Sequence, residues 1–147
     1  MIVITDSNII ISALIKPSGA IAKIFKSKSQ IQFFAPDFLL EELNNHLDII
    51  EANSPLAAKK NGIKIEIDFL KSKIKFVPID KIPKKYILEA FEIVKDIDVD
   101  DTFFVALNCY KHWKIWTCDA ALLKGLKSKG LDICVSTSDV RKSLYLK

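Results

Sequence analysis

The sequence predicts an α/β fold in which helices cover both faces of a parallel sheet. Two observations carry this prediction: half of the residues are hydrophobic, and short apolar runs alternate with segments of helical periodicity along the chain. Short apolar strands joined by helical connections are typical of parallel sheets that are buried on both faces. With 147 residues and no evident linker or internal repeat, the chain is predicted to form a single domain, residues 1–147.

Five short apolar runs are predicted as strands. They cover residues 2–5, 31–35, 75–78, 114–117 and 131–135. Each run has the length of a buried strand and is too short for a stable helix.

Helical spacing and capping residues define the segments between these strands. The predicted helices cover residues 8–14, 20–28, 36–50, 55–70 with a break near 61–62, 83–94, 98–110 and 120–129, followed by a short C-terminal helix capped by Ser138 and Asp139. Asp6 or Ser7 can cap the first helix, and Pro36 is placed at the start of the third. Gly130 is a typical helix terminator.

The chain has a mild positive charge that comes almost entirely from lysine. Its net charge is +4, and of its 22 basic residues only Arg141 is an arginine. Lysine suits loose phosphate contact more than bidentate recognition of bases, although a lysine-rich surface can also simply maintain solubility. A basic surface around an acidic pocket would suit a metal-dependent enzyme that acts on nucleic acid.

The cysteines and the apolar stretches exclude several classes of protein. Cys109, Cys118 and Cys134 have apolar neighbours and no C-x-x-C spacing, which favours buried free thiols over disulfides. The apolar stretches are far shorter than a membrane span, and the N-terminus resembles a strand without a basic leader. We therefore expect a cytoplasmic protein with no signal peptide and no membrane association.

Acidic residues follow two predicted strands and begin one predicted helix. Asp6 directly follows the first strand, Asp119 follows the fourth, and Asp101 opens an apolar helix. Each could simply cap a helix, but ligands of open α/β sheets bind at the carboxyl ends of the strands. If strands one and four are neighbours, these carboxylates converge, which destabilises the fold unless a cation binds there. The sequence therefore predicts a metal site at this edge.

Glutamates and further aspartates offer additional carboxylates. Glu42 lies nearer the apolar stripe of its predicted helix than an ordinary surface glutamate does, and Glu41 is the alternative. Asp98 is three residues before Asp101 and can share one helical turn with it, while Asp100 is the alternative to Asp101.

Two neutral polar residues accompany the carboxylates. Asn8 is placed to hydrogen-bond the Asp6 carboxylate and fix its rotamer. Thr117 points to the same side of its strand end as Asp119, where its hydroxyl could bind a metal-bound water or a phosphate oxygen.

Four segments, in order and spacing, resemble a PIN domain. They are VITDSNIIISAL from residue 3, PDFLLEEL from residue 36, DVDDTFFVAL from residue 98 and WTCD from residue 116. The D-x-N after the first strand and the late T-x-D are fairly specific in combination. The resemblance implies a three-layer α/β/α sandwich with a five-stranded parallel sheet and a ribonuclease that depends on magnesium or manganese.

The resemblance also implies roles for individual residues. By position, the four family carboxylates are Asp6, Glu42, Asp101 and Asp119, with Asp6, Asp101 and Asp119 as metal ligands and Asn8, Asp98 and Thr117 as auxiliary residues. Many small members of the family are toxins of the VapC type, which act on RNA and are blocked by a small antitoxin. A homodimer is a further expectation for a protein of this kind.

Two other functions compete with the nuclease. A PIN-like module could bind RNA or protein without cutting, although the complete set of acidic residues argues against this. A phosphoacceptor receiver domain is also an α/β fold with aspartates at strand ends. Receivers usually carry an acidic pair directly after the first strand, whereas Asp6 stands alone.

Overall fold

A computed structural model describes residues 1–145, so the last two residues of the predicted domain lie outside the described part. The five strands are β1 (Ile2–Thr5), β2 (Gln32–Pro36), β3 (Ile74–Val77), β4 (Lys114–Trp116) and β5 (Cys134–Val135). They form one sheet in the order β3-β2-β1-β4-β5, and every neighbouring pair is parallel. The predicted five-stranded parallel sheet is therefore confirmed.

Helices cover the sheet in two layers. The α-helices are α1 (Ser7–Ile15), α2 (Ala20–Lys26), α3 (Phe38–Asn45), α4 (Leu47–Asn53), α5 (Gly62–Ser72), α6 (Lys84–Val94), α7 (Thr102–Lys111), α8 (Ala120–Ser128) and α9 (Thr137–Ser143). Helices α6 and α7 pack against each other, and α7 contacts β1, β2 and β4. Helix α1 contacts α2, α3, α4 and α5 in the other layer. The architecture is the three-layer α/β/α sandwich that the resemblance implied.

The strand order places the ligand-binding edge between β1 and β4. The chain starts in the middle of the sheet, builds outward through β2 and β3, and then returns to the other side of β1 with β4. Such a reversal creates a crevice at the carboxyl ends of the two central strands. The order also excludes the receiver-domain alternative, since receiver-type sheets have the order 2-1-3-4-5.

Three aromatic side chains form the centre of the core on the side of α2. The ring centroids of Phe25 and Phe33 are 4.7 Å apart, and those of Phe25 and Trp116 are 5.4 Å apart. The buried Trp116 indole N–H donates to the hydroxyl of Thr137 at 3.1 Å. This bond satisfies the one polar group of the ring and joins β4 to the first turn of α9.

The predicted long helix over residues 36–50 is wrong in two respects. Pro36 belongs to β2, where it pairs with Val77, and the helix begins only at Phe38. The helix then breaks at His46, whose φ is −109°, and α4 starts after it. The His46 ring lies 2.7 Å from the carbonyl of Glu42, so the side chain competes with the backbone for a helical acceptor.

Two other helix starts also differ from expectation. The segment predicted as helix from residue 98 begins with a 3₁₀ turn, Val99–Asp101. The Asp98 carboxylate caps this turn by accepting from the backbone N–H of Asp100 at 3.0 Å. The C-terminal helix is capped by Ser136, which exchanges hydrogen bonds with Asp139, and not by the predicted Ser138. Both cases shift a boundary without changing the order of elements.

The cysteine prediction is correct in two cases and wrong in one. Cys109 and Cys134 are partly buried free thiols, whereas Cys118 is exposed in the loop between β4 and α8. Burial, followed by the Glu89 charge, raises the pKa of Cys109 to about 11. Burial, followed by the charges of nearby aspartates, does the same for Cys134. These two thiols therefore keep their protons near neutral pH and are poor nucleophiles.

Within residues 1–145, no single helix is long and apolar enough to cross a membrane. Helices α1 and α2 pass that test only as a pair, and they are bent by 101° relative to each other. Their large apolar residues, among them Ile9, Ile10, Leu14 and Phe25, are buried in the core.

The aromatic core provides a test of the fold. Phe25 is 1% exposed and Phe91 is 42% exposed, so the same substitution has different consequences at the two positions. Phe25→Ala should lower the free energy of unfolding by about 3–5 kcal/mol, because it leaves a cavity against Phe33 and Trp116. Phe91→Ala should change it by less than about 1 kcal/mol. Urea unfolding of the two variants checks this, and equal losses would contradict the packing described.

Candidate active site

Asp6 and Asp119 meet at the carboxyl ends of β1 and β4. Asp6 is only 1% exposed, and its backbone N–H extends the strand pairing by donating to the carbonyl of Trp116 at 3.2 Å. Asp119 lies three residues beyond Trp116, at the start of α8. The sheet itself therefore places the two carboxylates at the predicted crevice.

Thr117 orients the Asp6 carboxylate. Its buried hydroxyl accepts from the backbone N–H of Asp119 at 3.0 Å and donates to Asp6 Oδ2 at 2.6 Å. Because the backbone N–H occupies an acceptor site of the hydroxyl, the hydroxyl proton points to Asp6. This bond stabilises the charged form of Asp6, although burial dominates and raises the pKa of that carboxyl.

The two oxygens of Asp119 have different partners. Oδ1 caps α8 by accepting from the N–H groups of Ala121 at 3.0 Å and Leu122 at 3.3 Å. Oδ2 accepts from the side-chain amide of Asn8 at 3.4 Å. The capping role considered from the sequence is real, and it leaves the second oxygen facing the crevice. The expected partner of the Asn8 side chain was Asp6, so that detail was wrong, although a hydrogen bond from the Asn8 backbone N–H does favour the charged form of Asp6.

Asp101 is a buried carboxylate with an oxygen that lacks a protein partner. It is 7% exposed at the end of the 3₁₀ turn before α7, and within residues 1–145 its Oδ2 has no hydrogen bond. Burial, followed by the charges of Asp6, Asp98, Asp119 and Glu42, raises its pKa to about 8. The neighbouring Asp100 is exposed, although its charge still acts on Glu42, so the two alternatives differ chiefly in burial.

Glu42 approaches the same crevice from α3. It is partly buried, whereas Glu41 is exposed on the same helix. Burial, followed by the charges of Asp6 and Asp100, raises the pKa of Glu42 to about 7, and the His46 charge acts in the opposite direction. The burial of the two adjacent glutamates therefore differs in the direction that helical spacing favoured without deciding it.

Ser7 is a site residue that sequence reasoning treated only as a possible cap. It is buried, and its hydroxyl lies 3.4 Å from Asp6 Oδ1. A hydrogen bond from Ser7 also favours the charged form of Glu42. Since a hydroxyl has one proton, Ser7 can serve only one of these carboxylates at a time. Its place beside Asp6 in the first turn of α1 was the available signal.

The auxiliary carboxylate Asp98 lies at the margin of the site. It is exposed, and its Oδ1 accepts from the Asp100 N–H in the 3₁₀ turn. Its charge nevertheless contributes to the raised pKa of Asp101. Asp98 is therefore mainly a turn-forming residue that adds negative charge to the crevice.

The donor atoms of the crevice fit a hard divalent cation. In residues 1–145, no three His, Cys, Asp or Glu side chains form a ready-made metal cage. Magnesium does not require one, because it usually keeps several waters and binds one or two carboxylates. Asp101 Oδ2, which is buried without a partner, is a donor atom suited to this role, and Asp119 Oδ2 has only a long bond to Asn8.

Comparison with known proteins identifies the family. A family model described as PIN domain matches residues 4–139. The chain belongs to the PIN domain family. This PIN domain is also similar in fold to a chain of the crystal structure of VapBC2 from Rickettsia felis bound to a DNA fragment from their promoter, with a TM-score of 0.62 and 14% sequence identity. The match covers 92% of this chain and 97% of that chain. No curated protein matches the sequence.

The carboxylates predict how the stability of this PIN domain depends on pH. Asp101 and Glu42 have pKa values of about 8 and 7 in the folded protein, against about 4 in an unfolded chain. From about pH 4 to pH 8 the folded state therefore binds more protons than the unfolded state, and these groups lower stability as pH rises. With a chelator present, Asp101→Asn should raise the melting temperature more at about pH 8 than at about pH 5.5.

The control for this measurement is Asp100→Asn, which removes an adjacent but exposed carboxylate. It should raise the melting temperature at about pH 8 by much less than Asp101→Asn does, because Asp100 is itself exposed and its charge contributes only to the raised pKa of the neighbouring Glu42. A similar effect of both variants, or an Asp101→Asn protein that is less stable at pH 8, would contradict the description of Asp101.

Proposed function

We propose that this PIN domain is an endoribonuclease that depends on magnesium or manganese and hydrolyses phosphodiester bonds of RNA. The observation that carries the proposal is the buried Asp101 carboxylate. Its Oδ2 has no partner within the described residues, and its pKa is raised by burial and then by four other carboxylates, Asp6, Asp98, Asp119 and Glu42. A fold does not retain such repulsion for stability, because a buried unpaired carboxylate is costly. A bound cation would remove that cost.

The residues divide between holding a cation and orienting its ligands. Asp6, Asp101 and Asp119 would hold magnesium or manganese, which when bound lowers the pKa of water and stabilises negative charge on phosphate oxygens. Thr117 holds Asp6 in one orientation, and Asn8 contacts Asp119. Glu42, with a pKa of about 7, is suited to accepting or donating a proton near neutral pH.

The same proposal extends to the cellular role. The similar structure is that of VapBC2 bound to a DNA fragment from their promoter, and the shared fold supports a role for this chain as the toxin of a toxin–antitoxin pair. Its partner would then be a small antitoxin protein that covers the acidic crevice, and its substrate would be cytoplasmic RNA. A homodimer belongs to the same proposal.

The decisive experiment is cleavage of end-labelled RNA by the purified protein with manganese, magnesium or chelator. We expect cutting with either metal and none with chelator. Asp6→Asn, purified identically, should cut slower by about 100-fold or more, since loss of a residue that merely supports a metal ligand already costs about 10–100-fold. Equal activity of both proteins would indicate a contaminating ribonuclease. Absence of cleavage on several RNAs would favour the non-catalytic binding module.

Adjacent glutamates provide a matched pair for the same assay. Glu42→Gln should reduce cleavage strongly, because Glu42 is partly buried at the crevice, whereas Glu41→Gln should retain nearly full activity, because Glu41 is exposed. The two variants make the same substitution at adjacent positions of α3, so they differ only in which glutamate loses its charge. Equal losses in both variants would contradict the assignment of Glu42 to the site.

A further inference from the structure

A continuous series of aromatic rings and lysines, none of them a residue of the acidic crevice, crosses the surface. We call it the aromatic–lysine row, and its members in spatial order are Lys75, Phe34, Trp113, Lys111, Tyr110, Tyr86 and Lys85. Each member contacts the next, although the seven residues come from β2, β3, α6, α7 and the turn before β4. The fold therefore assembles the row from distant parts of the chain.

The row consists of two ring pairs joined by one ammonium group. The ring centroids of Phe34 and Trp113 are 4.2 Å apart, and those of Tyr86 and Tyr110 are 5.3 Å apart. The Lys111 ammonium lies 4.6 Å from the Tyr110 centroid and 5.8 Å from the Trp113 centroid, so it connects the pairs.

Each end of the row carries a further lysine. The Lys75 ammonium lies 5.6 Å from the Phe34 centroid, and the Lys85 ammonium lies 4.9 Å from the Tyr86 centroid. Positive charge therefore alternates with aromatic surface along the whole row.

Tyr110 and Lys111, in the middle of the row, lie at the end of α7 that points away from the acidic crevice. Helix α7 starts directly after Asp101, and its 10 residues end at Lys111. At about 1.5 Å per residue, the helix separates its two ends by about 15 Å. The row is thus separate from the residues assigned to catalysis.

The members of the row are available to a ligand. All four rings are partly exposed, and the three lysines are exposed. The ion pairs formed within residues 1–145 involve Lys95, Lys114 and Lys129, not the lysines of the row. The ammonium groups of the row are therefore not paired with a carboxylate of residues 1–145.

We propose that the aromatic–lysine row binds single-stranded nucleic acid, as a second contact for the RNA whose cleavage is proposed above. Lysines can contact successive phosphates while bases stack on exposed aromatic surface, which is the usual chemistry of sequence-tolerant single-strand binding. The lysine stems are flexible, so an ammonium now lying over a ring can move to a phosphate and leave ring surface to a base. This inference rests on the proposed function only for the identity of the natural ligand.

Trp113 provides a direct probe of the row. The chain has two tryptophans, and Trp116 is fully buried while Trp113 is partly exposed. Oligouridylate of about 12 nucleotides should therefore quench Trp113 fluorescence when a base stacks nearby. The titration uses Asp6→Asn protein in chelator, so that the oligonucleotide stays intact, and oligodeoxythymidylate serves as the DNA arm.

The test compares two triple variants in this Asp6→Asn background. The first variant replaces the three lysines of the row by glutamine: Lys75→Gln, Lys85→Gln and Lys111→Gln. It should weaken binding by about tenfold or more and reduce the slope of log affinity against log salt concentration by about 2. The control replaces three exposed lysines elsewhere, Lys124, Lys127 and Lys142, by glutamine and should change affinity less than about threefold. Tyr110→Leu, read by anisotropy of a labelled oligonucleotide, should weaken binding about tenfold with an unchanged salt slope.

Three results would overturn the inference. The first is that the two triple variants weaken oligonucleotide binding equally. The second is that the Tyr110→Leu protein binds as tightly as its parent. The third is that polyglutamate quenches Trp113 fluorescence as much as the oligonucleotide does, which would indicate a plain cationic surface. Failure of the nuclease proposal is distinguishable, because binding is measured without metal. If the wild-type protein binds oligonucleotides but never cuts RNA, only the nuclease proposal is refuted. If it cuts RNA but the aromatic–lysine row does not bind oligonucleotides, only this inference is refuted.

Discussion

The pairing of β1 with β4 is the interaction on which both the fold and the crevice depend. It continues one step beyond the strands, where the Asp6 N–H donates to the Trp116 carbonyl, and it brings the Thr117 hydroxyl within 2.6 Å of Asp6. Parallel pairing fixes the relative height of two strand ends, because a slip of one residue would turn every side chain to the other face. Asp6 and Asp119 are therefore positioned by sheet register, which is more rigid than a loop.

Helix starts offset part of the repulsion that this register creates. Helices α1, α7 and α8 begin at Ser7, Thr102 and Ala120, each directly after an aspartate of the crevice. Their free N–H groups and dipoles favour negative charge, by about 0.3–1 kcal/mol each. The offset is incomplete, since the pKa of Asp101 still rises to about 8. The repulsion that is left is what the proposed cation would relieve.

The sequence predicted the sheet, its helical covering and the convergence of strand-end carboxylates, because apolar periodicity and strand polarity decide these. It favoured Glu42 but kept Glu41 as the alternative, since both lie near the edge of one apolar stripe and tertiary packing decides their burial. The partner of Asn8 lies 111 residues away in the sequence, and the position of Ser7 between two carboxylates depends on how α1 packs against α3; periodicity contains neither. The break at His46 reflects a side-chain bond to the backbone, which apolar spacing cannot show.

The unequal partners of Asp119 and Asp101 have a consequence for how such a protein would change over time. Asp119 caps α8 through Oδ1, so a lineage that abandoned the chemistry would still benefit from an acceptor there. Asp101 has no comparable structural use for its buried Oδ2 among the described residues, and replacing it by a neutral side chain would relieve repulsion. A lineage released from selection for catalysis should therefore drift away from aspartate at residue 101 before it does so at residue 119.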